Sequence, residues 1–272
     1  MNPNLINDTM EQYLENPAMS ASKCREILRS PLHFKTRYID PFEEKETPAL
    51  RFGKLAHAAL LEPRRFLENF RVEPDVNRRT NAGKEELAAW HASLPKGAIV
   101  LDGEEAKAIV GMCDALMAHP VASGLLKNGV AEHSLYWQNE ATGMACKIRP
   151  DYLTEDGWLI NVKTSLDASR KEFTRDIGTY DYHLGAAMQT MGFRAKFVHD
   201  PKGYVFVVCE KKPPYAVAVY VADDSVIEIG TDGVMRALQR AKACFSENRW
   251  PGYQEEAENI SVPYWMMAES NF

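Results

Sequence analysis

The sequence lacks the features of an exported or membrane-bound protein. No apolar run approaches the roughly 20 residues that a helix needs to cross a bilayer. The first residues, MNPNLINDTMEQYLENP, contain neither the basic segment nor the apolar segment of a signal peptide. The five cysteines are scattered and form no CxxC pair, which argues against a zinc site and against a disulfide framework. We therefore expect a protein of the reducing cytoplasm that has no membrane partner.

The sequence also lacks an excess of positive charge, since its formal net charge is -6. This value gives no support to bulk attraction for a polyanion, which depends on local lysine and arginine residues. Basic residues are concentrated in residues 23–37 and in the segment NRRTNAGK at 77–84. Two local basic stretches are compatible with a cleft for a polyanion, and ordinary solvated faces explain them equally well.

Neither internal repeats nor low-complexity tracts divide the 272 residues. A hydrophobic content of 45% is enough to bury one substantial core. We expect a single domain over residues 1–272, with helical decoration at about residues 1–100 and the core at about residues 100–250.

Helix signals dominate the first 120 residues. N-cap residues, apolar residues at helical spacing and terminating prolines mark three helices. They are SASKCREILRS, begun by Ser20 or Ser22, LRFGKLAHAALLEP, ended by Pro63, and GEEAKAIVGMCDALMAHP, capped by Asp102 and Glu105. Residues 71–83 have no periodicity and predict an exposed loop.

The pattern changes to strands in the middle of the chain. AEHSLYWQN, GMACKIRPDYL and GWLINVKTS predict three consecutive antiparallel strands joined by turns. One long helix over roughly 171–196 follows, and then the buried strand GYVFVVCE with its partner YAVAVYVA. A last helix at about 224–247 precedes the irregular tail WPGYQEEAENISVPYWMMAESNF. These elements predict an α/β fold with helices on the faces of a sheet.

Three charged residues in the middle strands predict chemistry. Lys163 ends an apolar strand, where an ammonium group loses hydration and normally needs a counter-charge. Asp151 and Glu132, on the two preceding strands, could bring carboxylates to the same end of the sheet, where they repel each other unless a cation lies between them. The pattern predicts an Mg²⁺ site in which the lysine orients water or stabilises charge on a phosphate. A structural ion pair with a surface acid is the alternative, because the pattern is short and permissive.

The segment IRPDYLTEDGWLINVKTS resembles the core of PD-(D/E)XK nucleases. Pro150-Asp151 supplies its first half, and Asn161-Val162-Lys163 stands at the (D/E)-x-K half. Other segments resemble, in the same order, the RecE-type exonucleases (exodeoxyribonuclease VIII) of phage recombination systems. These segments are FGKLAHAALLEPRRF, similar to their G-x-x-x-H-x-x-L-E-P motif, NRRTNAGKEE, similar to a loop, AEHSLYW, similar to a glutamate-bearing strand, and YDYHLGAAMQTMGF, similar to a helix. The resemblance covers about residues 20–265.

The resemblance implies a restriction-endonuclease-like mixed sheet flanked by helices. It implies an Mg²⁺-dependent exonuclease, with Mn²⁺ as a substitute, that degrades one strand of linear double-stranded DNA from its 5′ end. It further implies a ring-shaped homotetramer and, as a partner, a single-strand annealing protein. The iron-sulfur branch of related nucleases is disfavoured because its cysteine cluster is absent.

The resemblance also implies roles for individual residues. The implied metal ligands are His57, Glu132, Asp151, Asn161 and the backbone carbonyl of Val162. Lys163 would activate or position the attacking water, and Gln189 would reach the reaction from the helix, although the glutamine-tyrosine pair of the family falls here at Gly185 and Gln189. The implied DNA contacts are Ser20, Ser22, Lys23, Arg78, Arg79, Thr80, Asn81, Lys84, Tyr182 and His183. Packing or plain surface exposure is the alternative for each of these contacts.

Asn161 departs from the pattern, which requires Asp or Glu at this position. An amide oxygen can coordinate Mg²⁺ but brings no negative charge. Three explanations are open: an inactivated variant that traps substrate, a natural protein that binds DNA without cleavage, or an active enzyme whose other ligands suffice. We favour the first, because the other implied ligands and the lysine are present. A non-catalytic protein of DNA-end binding or assembly, and an endonuclease of the same superfamily, are the competing functions.

Overall fold

The computed structural model describes residues 4–41, 47–95, 97–263 and 266, without the side chains of residues 49, 64 and 65. The helices are α1 (Met10–Glu15), α2 (Ala21–Arg29), α3 (Pro31–Tyr38), α4 (Pro48–Leu61), α5 (Pro63–Asn69), α6 (Asn81–Ala92), α7 (Gly103–Ala118), α8 (Pro120–Leu125), α9 (Arg170–Thr179), α10 (Tyr182–Phe197) and α11 (Asp224–Glu247). The strands are β1 (Phe70–Val72), β2 (Ile99–Leu101), β3 (Gly129–Ala131), β4 (Leu135–Gln138), β5 (Ala145–Ile148), β6 (Tyr152–Thr154), β7 (Trp158–Ser165), β8 (Gly203–Glu210) and β9 (Val217–Val221). Among these described residues, no helix is both long and apolar enough to span a membrane.

Five strands form the central sheet in the order β3, β6, β7, β8, β9. β7 and β8 are parallel, and the other neighbours are antiparallel. Helices α4 and α7 cover one face of this sheet by packing on Ile160 and Val162. Helices α9 and α10 cover the other face by packing on Leu159 and Phe206. The predicted α/β fold, a mixed sheet flanked by helices, is confirmed, while the predicted domain limits stay a prediction.

The first two predicted strands of the middle region are interrupted at the same point. The segment AEHSLYWQN contains the last residue of β3 and all of β4, and the segment GMACKIRPDYL contains β5 and the first two residues of β6. Ala131 pairs with Tyr152 before the interruption, and Leu135 pairs with Ile148 after it. Three residues separate these pairs on each chain segment, so the antiparallel register is the same on both sides. The predicted pairing is therefore confirmed, and the continuity of the strands is wrong.

The chain between 170 and 197 forms two helices, so the prediction of one long helix is wrong. α9 ends at Thr179, and Asp181 takes the left-handed conformation with a φ of 54°. The guanidinium of Arg25 donates a hydrogen bond to the carbonyl oxygen of Tyr180, within this break, at 3.1 Å. That partner is distant in sequence, so local helical spacing does not reveal it.

The predicted helix caps are confirmed at the two positions where the sequence specified them. The Ser20 hydroxyl accepts a hydrogen bond from the backbone of Lys23 and begins α2. Asp102 and Glu105 form the capping box of α7. α11 has the predicted limits. The tail has no helix or strand over 250–263, and its residues 264, 265 and 267–272 lie outside the described part of the chain.

Residues 71–83 form only in part the exposed loop that the sequence predicted. β1 extends to Val72 and pairs in parallel with β2. α6 begins at Asn81, where the Thr80 hydroxyl accepts a hydrogen bond from the backbone of Gly83. This helix was not predicted, because its first turn lies in a segment rich in Asn, Arg and Gly without apolar periodicity.

Candidate metal centre

The interruption of the two strands positions two carboxylates. Glu132 follows β3 and takes a positive φ of 54°, which turns its side chain out of the regular strand alternation. Its backbone N–H donates to the carbonyl oxygen of Asp151, which precedes β6, at 3.2 Å. The two residues are thus neighbours across adjacent segments at one end of the central sheet.

His57 of α4 lies between these carboxylates. Its Nε2 is 2.9 Å from Oδ2 of Asp151, and its Nδ1 is 3.3 Å from Oε1 of Glu132. One ligand atom from each of the three residues lies within 4.8 Å of the others. The structure therefore brings together three of the residues that the sequence predicted as metal ligands.

The charges in this cluster influence one another. Burial opposes protonation of His57, but the charges of Asp151 and Glu132 outweigh it and raise the pKa of the imidazole. Burial opposes ionisation of Asp151, yet His57, Lys163 and a backbone hydrogen bond lower its pKa. Burial and the charge of Asp151 raise the pKa of Glu132. An imidazolium can donate through both ring nitrogens, so a positive charge holds the two carboxylates together.

These residues fit a divalent cation. Two carboxylates and one imidazole are ligands that Mg²⁺ or Mn²⁺ accepts, and one ligand atom of each residue lies within 4.8 Å of the others. The carboxylates require a positive neighbour, which is the role that a metal ion would take when His57 is neutral. His57, Glu132 and Asp151 are the described residues that would hold it.

The strand β7 supplies the remaining predicted residues. The backbone N–H of Val162 donates to Oδ2 of Asp151 at 2.7 Å, which fixes this carboxylate against the strand. The side chain of Val162 points to the face covered by α4 and α7. Asn161 and Lys163 point to the other face, where both line a cavity, and Asn161 is only 6% exposed.

This cavity has a volume of about 390 Å³ and is basic and aromatic. Its positive lining residues are Lys23, Arg25, Lys147, Arg149 and Lys163. Its tyrosines are Tyr13, Tyr38, Tyr180, Tyr182 and Tyr204. Among the residues that the sequence predicted, Ser20, Ser22, Lys23, Asn161, Lys163, Tyr182 and Gln189 line it. The cavity adjoins the metal-ligand cluster, because Arg149 binds Glu132 with a nitrogen–oxygen distance of 2.8 Å.

Two residues of the cavity wall have unusual environments. The ammonium of Lys163 lies 5.1 Å from the ring centre of Tyr182, which is a cation–π contact. Burial lowers the pKa of this lysine, while the charge of Asp151 opposes the shift. The side-chain oxygen of Gln189 is buried, and none of the described residues donates a hydrogen bond to it. Both groups belong to residues that line the cavity.

The other residues that the sequence predicted to contact DNA lie outside this cavity. Arg78, Arg79, Thr80, Asn81 and Lys84 are in the turn before α6 or in its first turn, and they do not line this cavity. Thr80 caps the helix, and Arg78 pairs with Glu73. His183 lines a second groove with Arg25, Arg29 and Arg236. The DNA-binding roles of these residues stay predictions.

Sequence reasoning missed several members of the site. They are Asp8, Tyr13, Lys147 and Arg149. Lys147 and Arg149 alternate with apolar residues in CKIRPD, and two charged residues beside a proposed ligand were a signal that could have found them. Asp8 and Tyr13 have no local signal, because their contacts are more than 120 residues away in sequence.

The family model described as "PDDEXK-like domain of unknown function (DUF3799)" matches residues 20–263. The chain belongs to this PDDEXK-like family. Membership confirms the predicted relationship to the PD-(D/E)XK nucleases, which typically use a divalent metal, and it makes DNA the implied substrate. The narrower RecE-type assignment stays a prediction.

One solved structure supports the same fold. The chain resembles the crystal structure of a candidate exonuclease from Eubacterium rectale, with a TM-score of 0.61 and 13% identity over 98% of this chain and 99% of that chain. The structure of SSO0001 matches with a TM-score of 0.28 at 13% identity, over 84% of this chain and 87% of that one, and carries no argument about the fold. No curated protein sequence matches the chain.

Proposed function

We propose that the protein is a metal-dependent exonuclease that degrades one strand of linear double-stranded DNA in the 5′ to 3′ direction. The observation that carries this proposal is the cluster of His57, Glu132 and Asp151 beside Lys163, at the edge of a basic cavity lined by tyrosines. Mg²⁺ is the proposed cofactor, and Mn²⁺ is its proposed substitute.

The residues around the cluster divide the chemistry among them. A divalent metal held by His57, Glu132 and Asp151 would supply a polarised water and would neutralise charge on the phosphate. Asp151 is held in its ionised form by the Val162 N–H and by two positive neighbours, so it remains an acceptor at neutral pH. Lys163 presents an ammonium to the cavity, where it would orient the attacking water or stabilise negative charge on the scissile phosphate.

The cavity supports a strand end as the ligand. Its volume lies in the range of about 300–1,000 Å³ typical of small-ligand pockets, which suits a nucleotide better than an intact duplex. Tyrosine rings provide stacking surfaces for unpaired bases, and lysine and arginine attract the backbone. Ser20, Ser22 and Lys23 at the start of α2 would hold the terminal phosphate.

Asn161 would limit the rate of this reaction. Its side chain lines the cavity two residues before Lys163, at the position where the family pattern requires a carboxylate. If the missing charge weakens metal binding by a few kcal/mol, the rate falls by orders of magnitude, since about 1.4 kcal/mol is a factor of ten. We therefore propose that this protein degrades DNA more slowly than it would with an acidic residue at position 161.

A comparison of linear with covalently closed circular DNA distinguishes the proposed exonuclease from an endonuclease. An exonuclease shortens the linear duplex in Mn²⁺ or Mg²⁺ and leaves the closed circle intact. Asp151→Asn should abolish the shortening, whereas Glu140→Gln, which changes an exposed acid, should preserve it. Cleavage of the closed circle would indicate an endonuclease instead.

Asn161 favours a second candidate, a DNA-end-binding or assembly protein without catalysis. Binding of linear DNA with no cleavage in Mg²⁺ or Mn²⁺, even by the Asn161→Asp variant, would support it. The ring-shaped homotetramer, the single-strand annealing partner and the cytoplasmic location are further proposals that rest on the resemblance to RecE-type exonucleases.

A further inference from the structure

Asp8 lies before α1 and is connected to the metal-ligand cluster through Arg149. Ile6 and Ser134 exchange two backbone hydrogen bonds, of 3.0 and 2.9 Å, and this bridge places Asp8 beside the interrupted strands. The Asp8 carboxylate accepts hydrogen bonds from the hydroxyl of Ser134 at 2.6 Å and from the hydroxyl of Tyr136. Two residues of distant sequence, Ser134 and Tyr136, thus fix this carboxylate in place.

Arg149 connects this carboxylate to Glu132. Its Nη1 donates to Oδ1 of Asp8 at 2.6 Å, and its Nε donates to Oε2 of Glu132 at 2.8 Å. The side chains of Arg149, Asp8 and Glu132 are only 9%, 11% and 13% exposed. The contact with Arg149 also leaves the other oxygen of Glu132, Oε1, to face His57.

The charges of Asp8, Arg149 and Glu132 affect the affinity of the site for a cation. Arg149 alone would place an uncompensated positive charge against a metal ligand, where water screens it poorly. Asp8 returns one negative charge at 2.6 Å from the guanidinium. The compensation matters more in this chain than in the family pattern, because Asn161 contributes no charge of its own.

We propose that Asp8 is a positioning residue of the metal centre, which holds Arg149 against Glu132 and offsets its charge. This inference rests on the proposed metal-dependent function. Asp8 lies before residue 20, where the family match begins. The segment that precedes the matched region is therefore a working part of the site.

Mn²⁺ binding in the absence of DNA tests the proposal, measured by calorimetry or by the electron paramagnetic resonance of free Mn²⁺. Asp8→Asn should weaken binding about tenfold, equivalent to about 1.4 kcal/mol. Asp8→Glu, which keeps the charge, should restore binding to within about threefold of the original chain. Glu11→Gln is the matched control, because it removes an exposed acid from the same segment and should leave the affinity unchanged.

A second substitution separates charge compensation from general loosening of the structure. Adding Arg149→Gln to Asp8→Asn removes the uncompensated positive charge while leaving a neutral donor, so Mn²⁺ affinity should recover in part. Equal affinities for Asp8→Asn and Glu11→Gln would overturn the proposal, and so would a further loss in the double variant.

Thermal unfolding in EDTA shows whether Asp8→Asn is folded. If it is not, the double variant of Ser134→Ala and Tyr136→Phe takes its place, since it removes two partners of Asp8 and keeps the charge. It should weaken Mn²⁺ binding about threefold, or about 0.65 kcal/mol, and an unchanged affinity would overturn the proposal. Failure of the original chain to bind Mn²⁺ would instead contradict the proposed metal-dependent function.

Discussion

The backbone N–H of Glu132 donates a hydrogen bond to the carbonyl oxygen of Asp151, with a nitrogen–oxygen distance of 3.2 Å. This single contact bridges two strand segments at the point where both leave regular geometry. Glu132 has a positive φ there, a conformation that is uncommon for residues other than glycine. The surrounding register is preserved, so the irregularity serves to direct two carboxylates toward His57.

Metal binding should stabilise the fold. An ion that binds only the native state at 100 times its Kd adds about 2.7 kcal/mol, which for a chain of this size raises the Tm by about 5–10 °C. We expect this increase when Mn²⁺ replaces EDTA during thermal unfolding. His57→Gln should abolish most of the increase, whereas Glu140→Gln should keep it. An equal shift in both variants would show that Mn²⁺ binds elsewhere.

The metal-free fold should lose stability with rising pH because of His57. The pKa of this group is raised in the folded state above its ordinary value of 6.5. The contribution of His57 to the free energy of unfolding is therefore fully present below pH 6.5 and is lost as the pH rises through the pKa of the folded state. The difference in free energy of unfolding between the original chain and His57→Gln, measured with urea in EDTA, should decrease upward from pH 6.5. A difference that grows over this range would contradict the charge arrangement of the cluster.

Close packing of α10 against α11 depends on Gly230. A Cβ at this position would lie 2.2 Å from the carbonyl oxygen of His183, a backbone atom that cannot easily move. Gly230→Ala should destabilise the fold by about 1–3 kcal/mol in urea unfolding. Gly178→Ala is the matched control, since a Cβ added there in α9 would meet no atom within 4 Å apart from the backbone of its own helix, and it should stabilise by about 0.5–1 kcal/mol. Similar effects of both substitutions would refute the helix contact.

Lys163 should act on the rate and not on metal binding. Lys163→Met, made together with Asn161→Asp, should lower the rate of duplex degradation about 100-fold or more, within the range for loss of a positioned catalytic group. Its Mn²⁺ affinity should stay equal or increase, because a positive charge near Asp151 is removed. Lys107→Met, an exposed lysine on α7, is the control. A parallel loss of metal binding would assign Lys163 a structural role.

Hydrophobic periodicity and family motifs predicted those helices, strands and residues that lie within them. The buried strand β8 and the last helix α11 lie as expected, and His57, Glu132 and Asp151 lie together, while their role as metal ligands stays a prediction. In these cases the local hydrophobic pattern or the spacing of a motif is enough to predict the position of the element or residue.

The sequence did not predict features that depend on distant contacts. The break at Asp181 accompanies a hydrogen bond from Arg25, and the interruption at Glu132 preserves the antiparallel register of the strands on both sides of it. Asp8 meets Arg149 from 141 residues away. Such contacts follow from the folded arrangement and have no signature in a short window of sequence.

The rate at which Asn161→Asp degrades linear duplex DNA, compared with the original chain, tests the central claim most directly. A time course in Mg²⁺ with 5′-phosphate and 5′-hydroxyl ends would record the loss of one strand from its 5′ end. We expect the variant to be faster by at least about tenfold, because a carboxylate restores the missing charge beside Lys163. Equal, robust rates for both proteins would contradict a ligand role for residue 161, and no degradation by either protein would contradict the exonuclease itself.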